Sequence, residues 1–127
     1  QSHLTLPQSQ NDGAIRRGVP DVACAAAASP GYRIIVNGQP MAMSGTSAAT
    51  PLWAALVAIA IAARGEQIGL LNAALYGNPG AFRVVQQGNN RVGGKGYDAG
   101  PGWSACTGLG VPRGADVLAA LAAVPVA

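Results

Sequence analysis

The stretch Ser44-Gly45-Thr46-Ser47-Ala48-Ala49-Thr50-Pro51 decides the fold, because it joins two segments of different character. Residues 32–43 before it have strand-like composition, whereas residues 48–63 after it favour a helix that is apolar on every face and therefore buried. Pro51 is tolerated if it lies in the first turn of that helix. Gly45 permits a tight turn, so the Ser47 hydroxyl is expected at the amino end of the helix. Unpaired N–H groups and the helix dipole favour negative charge there, which makes Ser47 the candidate nucleophile.

Three other interpretations of this stretch were weighed. Ser44 or Ser47 could simply cap the helix, as serines before apolar runs commonly do. The nucleophile elbow of an α/β-hydrolase is disfavoured, because Ala49 stands where its second Gly belongs and no His follows Ser47. A Ser-His-Asp triad would need His3, the single His, which lies near a loose end and is expected to be exposed.

The elements around this stretch alternate between strands and helices, which predicts an α/β fold. Residues 1–13 are expected to form a loop or a cut end, and residues 18–25 a buried strand. Asn37-Gly38 between two apolar runs predicts a hairpin. Further on we expect an amphipathic helix over 68–76, a strand over 82–86, a long Gly-rich loop over 88–110 and a short helix over 115–123.

Composition limits the class of protein. The chain has 127 residues, enough for one domain, and only 10% of them are charged, so part of its surface is expected to be covered. The net charge of +3 comes from scattered residues, which argues against nucleic acid. The most apolar stretch, residues 52–63, is too short to span a bilayer. Because the sequence begins at Gln1 with no signal peptide, it is interpreted as a processed or excised piece.

The remaining titratable residues show no metal-site spacing. Cys24 and Cys106 could form one disulfide or stay free, and sequence leaves both open. Asp21 is expected to be a structural, hydrogen-bonded carboxylate. The other acidic residues are expected to be solvated, namely Asp12, Glu66, Asp98 and Asp116.

The octapeptide at Ser47 resembles the serine motif of both subtilisins and sedolisins. Short motifs elsewhere in the chain distinguish between these two families. The words that look like those of sedolisins, in sedolisin order, are Arg17-Gly-Val-Pro-Asp-Val-Ala, Pro51-Leu-Trp-Ala, Leu71-Asn-Ala-Ala-Leu-Tyr, Phe82-Arg-Val-Val-Gln-Gln-Gly-Asn-Asn and Gly100-Pro-Gly-Trp-Ser-Ala-Cys-Thr-Gly-Leu-Gly. The resemblance covers nearly all of residues 17–121. The chain is therefore identified as a member of the sedolisin, or serine-carboxyl peptidase, family.

The resemblance implies the C-terminal portion of a single peptidase catalytic domain with a subtilisin-like three-layer fold and a mostly parallel sheet. Ser47 matches the family nucleophile. The Glu and Asp that activate it, and the Asp of its oxyanion hole, would lie on an N-terminal segment that precedes residue 1. The implied protein is a secreted acid peptidase, an endopeptidase or tripeptidyl-peptidase, that acts on polypeptides and binds no nucleic acid or membrane. The alternative is a catalytically inert fragment or a structural subunit of a degenerate relative.

One departure from the family pattern concerns calcium. The resemblance implies a site made of two Asp carboxylates and three backbone carbonyls, but the two Asp positions are occupied by Val84 and Ser104. The carbonyls of Val85, Gly100 and Gly102 remain as candidate ligands. A hard dication without carboxylates should bind poorly, so no metal or other cofactor is expected unless Asp98 substitutes.

Overall fold

A computed structural model describes residues 13–124 of the chain. The expectations for residues 1–12, including His3 and Asp12, lie outside this range. The helices and strands in chain order are β1 (Tyr32–Val36), β2 (Gln39–Met43), α1 (Thr46–Arg64), α2 (Asn72–Gly77), β3 (Phe82–Arg83), β4 (Val111–Pro112) and α3 (Gly114–Ala122), with a 3₁₀ turn at Pro79–Ala81 before β3.

The hairpin is confirmed with the predicted bounds. β1 and β2 pair antiparallel, with Tyr32 opposite Met43 and Val36 opposite Gln39. The two turn residues have positive φ, 50° at Asn37 and 77° at Gly38, as a tight two-residue turn between twisted strands requires. The second strand ends two residues before Gly45, so the hairpin delivers the chain directly to the serine stretch.

The helix α1 forms where it was expected, but its burial was predicted wrongly. Its core-facing side carries the buried Ala60, whereas Leu52 is 46% exposed and Ile59 is 55% exposed. The helix packs mainly on α3 through one side, and the opposite apolar side is largely exposed. Pro51 also lies in the second turn and not the first, because the helix begins at Thr46.

The expectation that the apolar stretch is too short to span a bilayer also needs correction. The observed helix has 19 residues and is long and apolar enough to cross a bilayer by length and composition alone. Core helices of soluble proteins pass the same test.

The elements after α1 are shorter than predicted. The helix predicted over 68–76 is shortened to α2, which begins at Asn72. Gly69 has φ 71°, which is outside the range of an α-helix, so a regular helix cannot run through it. The strand over 82–86 is only β3, since its partner β4 offers two residues for pairing. The C-terminal helix is confirmed as α3, beginning one residue before the predicted Ala115.

The described sheets differ from the predicted sheet. Residues 13–124 contain two two-stranded sheets, β1 with β2 and β3 with β4, and both pairs are antiparallel. Residues 18–25 are irregular in place of the predicted strand, because loop carbonyls, loop amides and side chains take their hydrogen bonds. The mostly parallel sheet therefore stays a prediction for the complete domain.

The core lies between α1, α3 and the β3–β4 pair. Val117 and Leu121 of α3 are completely buried, and Phe82 stacks on Trp53 of α1 with ring centroids 6.2 Å apart. The other buried members of the cluster are Ala60, Ile68, Leu75, Ala81 and Leu109. This core fixes α1, and with it the position of Ser47.

Candidate active site

Gly45 determines how Ser47 is presented. Gly45 precedes the helix with φ 89° and ψ 171°, a conformation essentially restricted to glycine. Its carbonyl accepts hydrogen bonds from the N–H groups of Ala48 at 3.0 Å and Ala49 at 3.3 Å. Ser47 consequently lies in the first turn, as predicted, and it is exposed.

The surroundings of Ser47 contain no base within the described residues. In residues 13–124 no side chain hydrogen-bonds to its hydroxyl, and the helix start has no side-chain cap. The capping interpretation of Ser44 and Ser47 is therefore not supported by the geometry. Pro51 has no N–H, so it also cannot donate to the Ser47 carbonyl one turn earlier.

An irregular segment, residues 23–26, lies beside the serine turn. The Gly45 N–H donates to the Ala26 carbonyl at 2.7 Å. The indole N–H of Trp53 donates to the Ala23 carbonyl at 3.1 Å, and the Tyr32 hydroxyl donates to the Ala25 carbonyl at 2.5 Å. The pKa of Tyr32 is raised, first by its hydrogen bond with Cys24 and then by desolvation, so the phenol stays protonated as a donor. Sequence patterns missed these contacts, since they link residues that share no periodicity.

Asp21 is a structural carboxylate, as expected. Arg17 donates to one of its oxygens at 2.7 Å and the Tyr76 hydroxyl to the other at 2.9 Å. The Asp21 carbonyl also accepts the Leu109 N–H at 2.9 Å, next to Gly108, where a Cβ would collide with that carbonyl. The contacts of Asp21 thus hold α2 and the Gly-rich loop together.

The other acidic residues of the described part of the chain, Glu66, Asp98 and Asp116, are exposed, but two of them form ion pairs. Arg64 donates to Glu66 at 3.3 Å, and Arg91 pairs with Asp98. Asp116 lies in the first turn of α3, where its charge suits the helix dipole. Cys24 and Cys106 are both free thiols, which settles the alternative that sequence left open.

The Gly-rich loop is held by hydrogen bonds within the loop and by bonds to Pro20 and Asp21. Ser104 is only 8% exposed, and its hydroxyl accepts the Thr107 N–H at 3.2 Å and lies 3.3 Å from the Thr107 hydroxyl. The Trp103 indole donates to the Pro20 carbonyl at 3.0 Å. Groups of three or more His, Cys, Asp or Glu that could hold a metal are absent from residues 13–124.

The proteins similar to this chain include several peptidases. Kumamolisin of Bacillus sp. (strain MN-32) is 44% identical over 125 residues, which cover 95% of this chain and 23% of that protein. Sedolisin of Pseudomonas sp. (strain 101) is 37% identical over 75% of this chain and 17% of its own length. Tripeptidyl-peptidase 1 of Homo sapiens is 36% identical over 85% of this chain and 21% of its own length. No protein-family model matches the chain.

The solved structure is Pseudomonas sedolisin, a serine-carboxyl proteinase, in complex with two molecules of pseudo-iodotyrostatin. It aligns with a TM-score of 0.73 and 34% identity over 85% of this chain and 30% of the sedolisin chain. The chain thus spans less than a third of each of these proteins. The shared fold and the serine turn define a piece of a serine-carboxyl peptidase-type protein. The chain belongs to the sedolisin family and corresponds to a C-terminal part of such a protein.

Proposed function

We propose that this chain carries the nucleophilic serine of an acid-acting serine-carboxyl peptidase, and that Ser47 is this nucleophile. The observation that carries the proposal is the placement of Ser47 in the first turn of α1, exposed and directly after the unusual Gly45 conformation. The first N–H groups of a helix have no intrahelical acceptor, so they are suited to stabilise an oxyanion formed at this serine.

The proposed base is a carboxylate on an N-terminal segment of the same catalytic domain. An unassisted serine hydroxyl is barely reactive, and no group in residues 13–124 hydrogen-bonds to it. A Glu can accept the serine proton in acid, where a His would already be charged. The proposed substrate is a polypeptide, and the proposed location is outside the cell, as the resemblance implies.

The exposed apolar side of α1 supports the proposed partnership with that segment. Leu52 and Ile59 lie on it, 46% and 55% exposed, and the chain covers only 23% of the kumamolisin sequence. Large exposed apolar surfaces are normally covered by a partner. Since α1 already packs one side on α3, we favour a protein partner over a membrane, and the scattered positive charges do not favour nucleic acid.

Peptide hydrolysis tests the proposal. The complete catalytic domain should cleave peptides at about pH 4, near the ordinary pKa of a Glu, whereas residues 1–127 alone should cleave none. Ser47→Ala should abolish the activity of the complete domain, while Ser44→Ala serves as the matched control and should largely retain it.

Two results would contradict the proposed peptidase function. If the complete domain is inactive although folded, the chain is the inert fragment or structural subunit of a degenerate relative. That second candidate is favoured by the calcium positions, where Val84 and Ser104 stand in place of the two carboxylates that the resemblance implies. Turnover by residues 1–127 alone that is lost on His3→Ala would instead reveal a triad.

We also propose that the Gly-rich loop binds no calcium, because its residues do not fit the ion. Val84 supplies no ligand, and the Ser104 hydroxyl is already bonded to Thr107. Asp98, the candidate substitute, is paired with Arg91. A dication held only by neutral carbonyls would be desolvated without compensation.

Melting in calcium and in chelator tests this absence. The melting temperature of the complete domain should be the same in both, and calorimetric titration should show no tight binding. A chelator-dependent loss of stability would contradict the proposal, and the Asp98→Asn variant would then show whether Asp98 supplies the charge.

A further inference from the structure

The segment 24–26 is held from both arms of the hairpin at the point where the serine turn begins. Just after the second arm, the Gly45 N–H donates to the Ala26 carbonyl at 2.7 Å. From the first arm, the Tyr32 hydroxyl donates to the neighbouring Ala25 carbonyl at 2.5 Å. Tyr32 pairs across the sheet with Met43, two residues before Gly45, so both contacts lie at the same end of the hairpin.

The Tyr32 hydroxyl is fully committed in this arrangement. It donates to the Ala25 carbonyl, and the Cys24 sulfur lies 3.4 Å from the same oxygen. The preceding turn is equally constrained. A Cβ at Gly31 would lie 2.9 Å from the Ala28 carbonyl oxygen and 3.2 Å from the Met43 carbonyl oxygen, so the backbone approaches closely there. The position of the Tyr32 side chain is therefore constrained at its backbone by the close packing at Gly31 and at its hydroxyl by the hydrogen bond to Ala25.

We propose that Tyr32 is a positioning residue for Ser47, acting through the Ala25–Ala26 carbonyls and the Gly45 turn. The hydroxyl locates the segment to which the Gly45 N–H binds. That bond holds the Gly45 conformation from which the first turn of α1 starts, and the turn aims the Ser47 hydroxyl. The inference rests on the proposed function of Ser47 as nucleophile, and it adds a residue that touches neither substrate nor the reacting atoms.

The kinetic test compares Tyr32→Phe with Tyr97→Phe in the complete catalytic domain. Both variants remove one phenol oxygen, but in residues 13–124 the Tyr97 hydroxyl has no hydrogen-bond partner, which makes Tyr97→Phe the matched control. Because a misaimed nucleophile affects the transition state more than substrate binding, we expect kcat per titrated active site to fall about tenfold in Tyr32→Phe with KM within about twofold. Tyr97→Phe should retain the kcat and KM of the unmodified protein. An unchanged titrated kcat in Tyr32→Phe would overturn the inference, even if its melting temperature fell.

A second readout does not depend on activity. Hydrogen exchange of the Gly45 amide should accelerate about tenfold in Tyr32→Phe relative to the core amide of Val117, because the partner carbonyl of Gly45 is no longer held. Equal acceleration at both amides, or at neither, would overturn the positioning role. If the complete domain shows no hydrolysis that depends on Ser47, the proposed function fails, and the Gly45 exchange still decides whether Tyr32 holds the turn.

Discussion

Asp21 shows how single contacts in this protein join distant parts of the chain. Its carboxylate takes hydrogen bonds from Arg17, four residues earlier, and from Tyr76, fifty-five residues later. The Arg17 side chain is half exposed, so the ion pair adds little by itself. The hydrogen bond from Tyr76 is partly buried, and it connects α2 to the irregular segment that contains Asp21. Of the two hydrogen bonds to the Asp21 carboxylate, the one from Tyr76 is therefore expected to contribute more to the stability of the fold.

Alkaline pH should expose the contribution of Tyr76. Desolvation, followed by the hydrogen bond and the charge of Asp21, raises the pKa of Tyr76 to about 12. An unfolded Tyr titrates near pH 10, so the unfolded state loses this proton first. Because the folded pKa is the higher one, the stabilisation is complete below about pH 10 and is lost as the pH rises through about 12.

Denaturant unfolding of the unmodified protein and Tyr76→Phe measures this effect. The difference in unfolding free energy between the two should be constant from pH 7 to about pH 9.5 and should narrow above pH 10. Two curves that stay parallel through pH 11 would show that Tyr76 does not titrate with folding.

At the scale of elements, Arg64 joins the ends of α1 and α3. The last carbonyls of a helix lack intrahelical donors, and a guanidinium can satisfy several of them. One terminal nitrogen of Arg64 donates to the carbonyls of Ala122 and Val124 at 2.8 Å and to that of Leu121 at 3.3 Å. Its side chain is only 8% exposed, and its Nε has no partner within residues 13–124, which offsets part of the gain.

Arg64→Met should lower the free energy of unfolding by about 2 kcal/mol, because partly buried carbonyls lose their donor while the apolar stem is kept. Glu66→Gln is the control, since it removes only the exposed pair and should cost less than about 1 kcal/mol. Chemical denaturation of the complete domain measures both. Equal effects of the two substitutions would show that the ion pair, and not the cap of α3, is what matters.

At the scale of the whole molecule, α1 is a central helix with one side covered. The side facing α3 belongs to the core, and the opposite side carries Leu52 and Ile59. A helix that is apolar on every face is stable in water only when neighbours surround it. The proposed neighbour is the N-terminal segment of the same catalytic domain.

Ile59→Glu tests whether that side is covered in the complete catalytic domain. Burial of an unpaired carboxylate there should lower the stability by about 3 kcal/mol or more. Val92→Glu is the matched control, because Val92 is 83% exposed on the Gly-rich loop and surface changes usually stay within about 0.5 kcal/mol. If thermal melting shows the two variants to be equally stable, the exposed side of α1 is not an interface.

The features that sequence alone determined here are those governed by neighbours along the chain. Asn37-Gly38 determines a two-residue turn, so the hairpin formed with the predicted bounds. Gly45 and Gly65 flank an Ala-rich run, and they precede and follow α1 with positive φ. Tertiary structure decided what depends on residues far apart. β3 is short because β4 offers only two residues, and Asp21 is structural because Tyr76 reaches it. The exposure of α1 likewise depends on which other elements pack against it. A pattern of apolar residues predicts that a helix face is buried, but it does not identify the element that buries it.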